Sequence, residues 1–552
     1  MSTEIDFSEN YSFDVVVTHD ELGELGDATL RFGVDHWPHL RFADWRMYDR
    51  LGENRKYERF SATTKSGDVF TLFDCSVVGF SLSIDYIVAG DVTAEFKAIG
   101  IRFDDINEWF MPFRQVEDKI SPNGNGENAL RPISVSLKTD AQSFTLSTET
   151  IVKITHKGED HIVHEHVLFN FERTDGFFSA SDIREKSHEL STLLSILTAI
   201  PLTVVNVHVV CNSGECHYAF FSTFKKQQLD GRTRSYVDYF AAKSLLDGRW
   251  QAVFEKYYQS AYRKVLWVRL AGMQRYDGFW EYKALGYVSL LDKYVGERTK
   301  GQKRNPSKGN ELKGTKLHAA LRKVVPQLSE EQVDSVYSVV ADIFLKGGKL
   351  SFGEQYRIVL GTMDEDIRSV INMTDRDFGQ IKRIRDAVAH GDAPDLIETD
   401  FSRVGIIVSK IALMLTYWAF MDFGLTAKDF LSCLASHSRL HLRADIDRVQ
   451  LARITNSAGF FKLTENQFDE LLKIKSLRIQ SCFIKYEDGR IEYAPHHVEA
   501  LKGWYKKREG GVIPVARIFG QSEDKIKCWG QAYLETETRR LELTQAYFIE
   551  SA

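Results

Sequence analysis

The segment WQAVFEKYYQSAYRKVLWVRLAG, Trp250–Gly272, lies where the hydrophobic pattern of this chain changes. Its apolar residues recur at spacings of three and four, which is typical of an amphipathic helix. The same spacing continues in FWEYKALGYVSLLDKYVGE (Phe279–Glu297), in TDRDFGQIKRIRDAVAH (Thr374–His390) and in TDFSRVGIIVSKIALMLTYWAFM (Thr399–Met421). The pattern predicts an all-helical domain, which we place at residues 226–425.

The chain before this segment has the pattern of β-strands. Short runs rich in β-branched and aromatic residues, such as FDVVVTH (Phe13–His19) and VFTLFDCSVV (Val69–Val78), are separated by turn-forming pieces such as KSGD (Lys65–Asp68). One helical stretch, SDIREKSHELSTLLSILTAI (Ser181–Ile200), precedes a last pair of strands that ends near residue 223. We therefore predict a β-rich domain over residues 1–225.

The remaining residues, 426–552, have a mixed pattern. TENQFDELLKI and HHVEALKGWYKK have helical spacing, and SCFIKYEDGRIEYAP predicts a hairpin that turns at Asp488-Gly489. We expect a small mixed α/β extension. The predicted fold class is α+β multidomain, with a β-rich N-terminal domain, an all-α bundle and this extension.

The composition is that of an ordinary folded protein with a mild net charge of -6 over 552 residues. Six cysteines without disulfide-framework spacing predict a reducing compartment. The first ten residues, MSTEIDFSEN, predict no secretory signal, and the most apolar stretch, Ile411–Leu425, contains Asp422 and is short for a membrane span. We expect a cytoplasmic protein without a membrane partner. No P-loop, Rossmann glycine pattern, Gly-x-Ser-x-Gly elbow or His-Glu-x-x-His motif is present.

The segment RIRDAVAHGD, Arg383–Asp392, closes one predicted helix. Thr374 or Asp375 can cap the start of this helix, and Gly391 is a good stop signal. The apolar stripe of the helix consists of Phe378, Ile381, Ile384 and Val388.

Arg385 and His390 do not point together on a regular helix, because five residues correspond to roughly 140° around the axis. Either the last turn unwinds, or each residue faces a shared cleft from a different side. Arg383 is the arginine on the His390 face. A purely structural interpretation also holds, since cations near a helix C-terminus are favoured by the macrodipole. The same Arg-x4-His spacing occurs in RFGVDH (Arg31–His36), where we assign it no chemistry.

The arginine, the polar Asp386 and His390 on a late helix of an all-α bundle resemble the HEPN ribonucleases, whose pattern is Arg, four to six residues, His. The earlier helix FWEYKALGYVSLLDKY is similar to the one on which these proteins carry an acidic residue, here Asp292. The segments TTKSGDVFTLFDC and AIGIRFDDINEWF resemble the N-terminal domain of ApeA-type antiphage proteins. The resemblance covers roughly residues 10–425 and does not include the extension.

The resemblance implies RNA cleavage without a metal ion or other cofactor, in a homodimer whose two motifs line one cleft. His390 would be a general acid or base and Arg385 a phosphate clamp. Asp386 would orient one of them or be a simple surface carboxylate. Asp292 would be a structural partner of a motif residue, and Arg383 a weaker candidate for contact with the RNA backbone.

By the same resemblance, the β-rich domain would sense infection or restrain the nuclease until a phage-derived trigger arrives. Cleavage of host RNA, with tRNA as one candidate, would then end growth by abortive infection. The alternative is a non-catalytic HEPN-like module that binds RNA or a protein. A third interpretation is a metal-dependent enzyme that uses histidines of the β-rich domain.

Three further segments have two interpretations each. The basic connector Glu297–Lys316 could follow an RNA backbone through Lys300, Lys303, Arg304 and Lys308, or be a solvated loop. CNSGECH (Cys211–His217) lacks a second ligand pair for zinc, so we expect a tight hairpin with two partly buried cysteines. In HIVHEHV, His164 and His166 share one strand face, and we favour a polar face over a metal site.

Overall fold

The computed structural model describes most of the chain as two compact units. The first unit comprises Met1–Asp364 and Met373–Asp445, and the second comprises Glu365–Asn372 and Ile446–Ala552. Each unit has its own buried core. The described residues are 4–111, 132–139, 142–158, 160–224, 238–302, 316, 318–323, 327–345, 350–390, 401–436, 443–475, 477–507 and 515–550.

The first six strands form a closed barrel within the first unit. Each pairs antiparallel with its neighbours, and the third strand closes the ring by pairing with the sixth at His39↔Ser83 and Leu40↔Leu82. Closure removes free sheet edges from this part of the domain. The strands are β1 (Asn10–His19), β2 (Gly23–Gly33), β3 (His39–Phe42), β4 (Lys56–Thr64), β5 (Val69–Val78) and β6 (Ser81–Ala89).

The sheet continues from β6 beyond the barrel, in the order β12-β11-β7-β10-β9-β8. The pattern-based prediction missed β7, in which Gly100 lies opposite His208. A Cβ at Gly100 would stand 2.1 Å from the His208 ring, so this strand needs glycine there although glycine is a poor strand former. The strands are β7 (Phe96–Phe103), β8 (Ser134–Lys138), β9 (Ser143–Lys157), β10 (Asp160–Arg173), β11 (Val204–Cys211) and β12 (Cys216–Phe221).

Three helices belong to this β-rich part. Two are short, α1 (Arg46–Leu51) and α2 (Asn107–Phe110), and one is long, α3 (Ala180–Thr198). Helix α3 confirms the predicted late helix. Ser179 and Asp182 form its capping box, and 15 of its 19 residues are buried. The predicted β-rich N-terminal domain is therefore confirmed as a barrel and sheet with one long packed helix.

The helical part of the first unit begins with an interruption. Trp250–Gly272 was predicted as one helical stretch, but α4 (Trp250–Gln259) ends at Ser260, and a π-helical turn, Arg263–Trp267, precedes α5 (Val268–Arg275). The side chains of Ser260 and Trp267 both donate hydrogen bonds to Asp422. This half-buried carboxylate holds the chain out of a continuous helix, and such a distant contact cannot be predicted from local periodicity.

Further helices follow in the first unit. Helix α11 contains the 21-residue stretch Ser402–Asp422, which by length and composition is long and apolar enough to cross a membrane. Within this stretch, 72% of an 18-residue window is buried inside the structure, so most of it belongs to the core. The helices are α6 (Trp280–Arg298), α7 (Glu330–Leu345), α8 (Phe352–Gly361), α10 (Asp375–His390), α11 (Phe401–Asp422) and α12 (Ala427–Ser436).

The second unit is a five-stranded mixed sheet in the order β13-β16-β17-β14-β15, with helices packed on it. The predicted hairpin is confirmed as β14 and β15, and Gly489 adopts the positive φ of 84° that its turn requires. The strands are β13 (Gly459–Lys462), β14 (Cys482–Lys485), β15 (Ile491–Tyr493), β16 (Ile526–Glu535) and β17 (Arg540–Glu550). The helices are α9 (Glu365–Ile371), α13 (Arg448–Thr455), α14 (Glu465–Leu472), α15 (Pro495–Lys507) and α16 (Val515–Phe519).

Candidate functional site

Helix α10, which carries the motif residues, is anchored at its first turn by the buried carboxylate of Asp377. Asp377 Oδ2 accepts a hydrogen bond from the Thr374 backbone at 3.1 Å, and Oδ1 accepts one from Arg403 on α11. The buried Lys410 ammonium lies 3.6 Å from the same carboxylate. Burial raises the pKa of Asp377, but the bonds from Thr374 and Arg403 and the charge of Lys410 outweigh it and lower the pKa below its ordinary value. A charged carboxylate therefore ties α10 to α11.

The apolar stripe predicted for α10 is buried where the structure describes it. Ile381 and Ile384 are in the core, and Phe378 stacks on the ring of Tyr356 with 4.2 Å between centroids. This packing fixes the rotation of α10 about its axis. Arg385 follows the stripe directly and is left half-exposed at its edge.

The guanidinium of Arg385 lies between two carboxylates. Its Nε and Nη2 each donate to Asp292 Oδ2 at 3.4 Å, and Nη1 donates to Asp386 Oδ1 at 3.2 Å. The ring of Phe352 lies 5.7 Å from the guanidinium carbon. The hydrogen bond to Asp386, together with Asp292, raises the pKa of Arg385. The guanidinium is thus a fixed positive charge with a defined orientation.

A groove of about 450 Å³ opens at this arginine between helices α6, α8 and α10. Asp292 and Arg385 line it, together with Lys293, Glu297 and Gln355. Lys293 donates to Glu297 at 2.8 Å, so its ammonium is directed along α6. The groove therefore combines one oriented guanidinium with several hydrogen-bonding side chains, and its volume is within the range of small-ligand sites.

The structure brings three predicted site residues together, namely Arg385, Asp386 and Asp292, although Asp292 precedes Arg385 by 93 positions. Arg383 is exposed elsewhere on α10. The backbone stays helical to His390, so the last turn is not unwound; the His390 side chain lies outside the described residues.

The predicted RNA-binding residues of the connector are described only in part. Lys300 is exposed and lies 4.0 Å from Glu297. Lys303, Arg304 and Lys308 lie outside the described residues. Contact of this connector with RNA stays a prediction.

The β-rich part of the chain also matches a known family. Residues 7–257 match the family model described as ApeA N-terminal domain 1. This N-terminal part of the chain is ApeA-like. The match covers the barrel, the sheet, α3 and most of α4, and it ends before the helices that form the groove. An ApeA-type domain suggests a role in antiphage defence. The comparisons with curated proteins and with solved structures found no match.

The sequence did not predict the groove residues Gln355 and Lys293, nor Phe352, whose ring lies against the Arg385 guanidinium. The capping box of Ser351 and Glu354 is a signal for the start of α8. No local pattern indicates that this helix faces Arg385, because the contact depends on how α8, α6 and α10 pack.

The other cysteine and histidine candidates do not form a site. Cys211 is half-buried and Cys216 is exposed, so the expectation that both are partly buried is wrong for Cys216, which opens β12 at the hairpin turn. His164 is exposed, whereas burial, with Arg102, lowers the pKa of His166 to about 4. Among the described residues, no group of three or more His, Cys, Asp or Glu side chains could hold a metal ion.

Proposed function

We propose that this chain is an endoribonuclease of the HEPN type, which cleaves RNA without a metal ion and acts in antiphage defence by abortive infection. The observation that carries the proposal is Arg385, whose guanidinium is oriented by Asp292 and Asp386 at an open groove. Its helix continues to His390. The ApeA-type N-terminal domain supports the defence role.

The chemistry needs only groups that RNA and these side chains supply. The 2′-oxygen of a ribose attacks the adjacent phosphorus, and its proton goes to a general base. The bond from phosphorus to the 5′-oxygen breaks, and a general acid protonates that oxygen, leaving a 2′,3′-cyclic phosphate and a 5′-hydroxyl. His390 can serve in either proton transfer, since an imidazole has a pKa of about 6.5. Arg385 would hold the phosphate as negative charge develops on it.

The two carboxylates would act as positioning residues for the arginine. The three side chains are 40%, 33% and 43% exposed for Arg385, Asp292 and Asp386. Contacts of 3.2 to 3.4 Å between half-exposed groups are weak in water. A phosphate entering the groove can therefore replace part of this pairing while Asp292 keeps the guanidinium plane in place.

A homodimer would supply the second proton-transferring group. Because α10 stays helical, Arg385 and His390 are separated by roughly 140° around it. Two copies of the chain that pair through their helical parts could place one protomer's histidine beside its partner's arginine. The proposed place of action is the cytoplasm, with host RNA, including tRNA, as the substrate.

The β-rich part could control the proposed nuclease activity through a cluster of buried charged side chains that joins it to the helical part. In the first unit, Glu189 of α3 accepts hydrogen bonds from Arg263 at 2.7 Å and from Lys186 at 3.1 Å. Arg263 lies in the π-helical turn between α4 and α5. Removing one partner of such a buried cluster is costly, so α3 and the turn move as one body. A phage-derived trigger that binds the β-rich part could act through this link.

The test is expression of the wild-type chain and of Arg385→Ala/His390→Ala in cells, with and without phage, followed by sequencing of RNA ends. New cleavage sites, cyclic-phosphate ends and phage protection are expected for the wild type alone. Arg376→Ala is the matched control, because Arg376 is an exposed arginine on the same helix. Identical RNA ends with protection intact in the double variant would refute the nuclease. Cleavage by purified protein that stops in EDTA would refute metal independence.

A second prediction concerns Asp292. Asp292→Asn is expected to lower cleavage by up to about 100-fold, because a poorly oriented guanidinium misplaces the phosphate. Glu297→Gln is the matched control, since Glu297 lies on the same helix and in the same groove but pairs with Lys293. Cleavage rates of the two purified variants on total RNA measure the difference. Equal rates would mean that Asp292 does not position Arg385 for the reaction.

The second candidate function is a non-catalytic module that binds RNA or a protein. The pairing of Arg385 with two carboxylates favours it, because a charged arginine that already has carboxylate partners near a helix end can be purely structural. This candidate predicts that the double variant keeps phage protection and leaves RNA ends unchanged.

A further inference from the structure

The second unit carries a larger groove, of about 850 Å³, on its five-stranded sheet. Strands β13, β14, β16 and β17 contribute its walls together with the turn of the β14–β15 hairpin. All of its lining residues lie within this unit. It is separate from the site at Arg385, and neither the predicted nuclease chemistry nor the ApeA-type match includes it.

The floor of this groove is aromatic. Phe461 stacks on Phe548 with 3.8 Å between centroids and 11° between planes, and Phe548 stacks in turn on Phe483. Phe461 and Trp529 are half-exposed, whereas Phe548 is buried beneath them. The rings are therefore held by the core while part of their surface stays open to a ligand.

Gly459 allows the two half-exposed rings to come together. A Cβ at this position would stand 2.8 Å from the Phe461 ring and 2.9 Å from Trp529 Nε1. Any larger residue would push the rings apart. The close approach of Phe461 and Trp529 is thus built into β13, and the two rings offer adjoining surfaces at one end of the groove.

Cations surround the aromatic floor. Lys462, Lys485, Arg490 and Lys527 all line the groove, and the Lys527 ammonium lies 4.2 Å from the centre of the Trp529 ring. Lys485 faces Glu550 at 3.6 Å, and Arg490 faces a carboxylate of its own hairpin turn at 4.0 Å. No carboxylate in the described part of the chain pairs with Lys462 or Lys527. Cations also outnumber carboxylates over residues 446–552, although the whole chain is acidic at -6.

We propose that this groove binds single-stranded RNA, with unpaired bases stacked on Trp529 and Phe461 and the backbone phosphates held by Lys462 and Lys527. Half-exposed rings beside cations are the combination that proteins use for single strands, because every base has a flat face and every linkage a negative charge. A duplex keeps its bases stacked inside and cannot use such a floor. An acidic peptide could pair with the lysines but would leave the rings without a partner.

The experiment uses the full chain with Arg385→Ala, so that RNA is not cut. The probe is a fluorescent uridine oligonucleotide of about 12 nucleotides, and its anisotropy gives the affinity across a range of salt concentrations. Lys462→Glu/Lys527→Glu is expected to weaken binding at least about tenfold and to reduce the slope of log affinity against log salt by about 1.4, for two lost phosphate contacts. The matched control is Lys473→Glu/Lys506→Glu, which makes the same charge change at exposed lysines outside the groove.

A second variant separates stacking from charge. Trp529→Leu keeps an apolar side chain and is expected to weaken the uridine probe about tenfold while leaving the salt slope unchanged. The wild type should bind a duplex of equal length more weakly than the single strand.

Four outcomes would overturn the proposal. The first two are an equal loss of affinity in Lys473→Glu/Lys506→Glu and no binding of the uridine probe at low salt. The other two are duplex binding that depends equally on Trp529, and displacement of the probe by polyglutamate with the same dependence on Lys462 and Lys527. The last of these would instead assign the groove to an acidic protein surface. Failure here leaves the nuclease proposal intact, because cleavage in cells is scored through Arg385 and His390.

Discussion

Arg385→Lys is expected to reduce RNA cleavage by at least about 100-fold while the protein stays folded. Lysine keeps the positive charge near the end of α10, so any effect of the helix dipole is preserved. It loses the planar fork that reaches Asp292 through Nε and Nη2 and Asp386 through Nη1. A phosphate clamp needs that fork, whereas a helix-terminal cation does not.

The measurement is the number of new RNA ends after phage infection in cells that express either the wild type or Arg385→Lys. Unfolding midpoints of the two purified proteins serve as the control for folding, and we expect them to agree. Wild-type cleavage in Arg385→Lys would rule out a catalytic clamp at this position and favour the non-catalytic module.

Asp377→Asn is expected to destabilise the first unit by about 3 kcal/mol, because it removes the charge from a fully buried carboxylate and leaves two cations facing an amide. The value is at the low end for a broken buried pair. The Arg403 side chain is 28% exposed and can turn towards water, whereas Lys410 is almost completely buried and cannot.

Denaturant unfolding of the first unit measures this loss, and Asp377→Asn/Lys410→Met is the matched comparison. Removing the buried ammonium should recover part of the stability, since an apolar side chain no longer needs the carboxylate. A double variant less stable than Asp377→Asn alone would contradict this account.

A comparison of the wild type with Asp377→Asn also tests how the contribution of Asp377 to stability depends on pH. The folded pKa of Asp377 is lowered, so its contribution is fully present above the ordinary aspartate pKa of about 3.9 and is lost as the pH falls through the folded value. The stability difference between the wild type and Asp377→Asn should therefore be constant near neutral pH and shrink below about pH 4.

Asp377→Asn and Arg385→Lys test different properties of the same site, namely the position of α10 and the chemistry of its arginine. Asp377 fixes where α10 lies, and Arg385 is the group that α10 presents to the groove. A loss of cleavage in Asp377→Asn would follow from a displaced helix, and it should be relieved in the double variant together with stability. A loss in Arg385→Lys should not depend on stability at all.

Much of the local structure was predictable from sequence. The β-branched and aromatic residues of Val69–Val78 and the three- and four-residue spacing of Thr374–His390 predicted the correct element types. The turn at Asp488-Gly489 was also predicted, because glycine allows the positive φ that the hairpin uses. Strand β7 was not predicted, because its Gly100 leaves room for the His208 ring on the neighbouring strand β11, and this contact cannot be seen in the local sequence.

The sequence by itself predicted most types of element and the α+β class, because these depend on local periodicity, and the resemblance of its motif indicated the candidate residues Arg385 and His390. Tertiary structure alone decided that β3 closes the barrel on β6, that Asp422 interrupts the helix at Ser260, and that Asp292 meets Arg385 from 93 positions away. It also decided that Phe461 and Trp529 share one groove with Lys462 and Lys527. The physical reason is that such contacts join residues far apart in the chain, so their formation depends on packing of the whole unit and leaves no periodic trace in either segment.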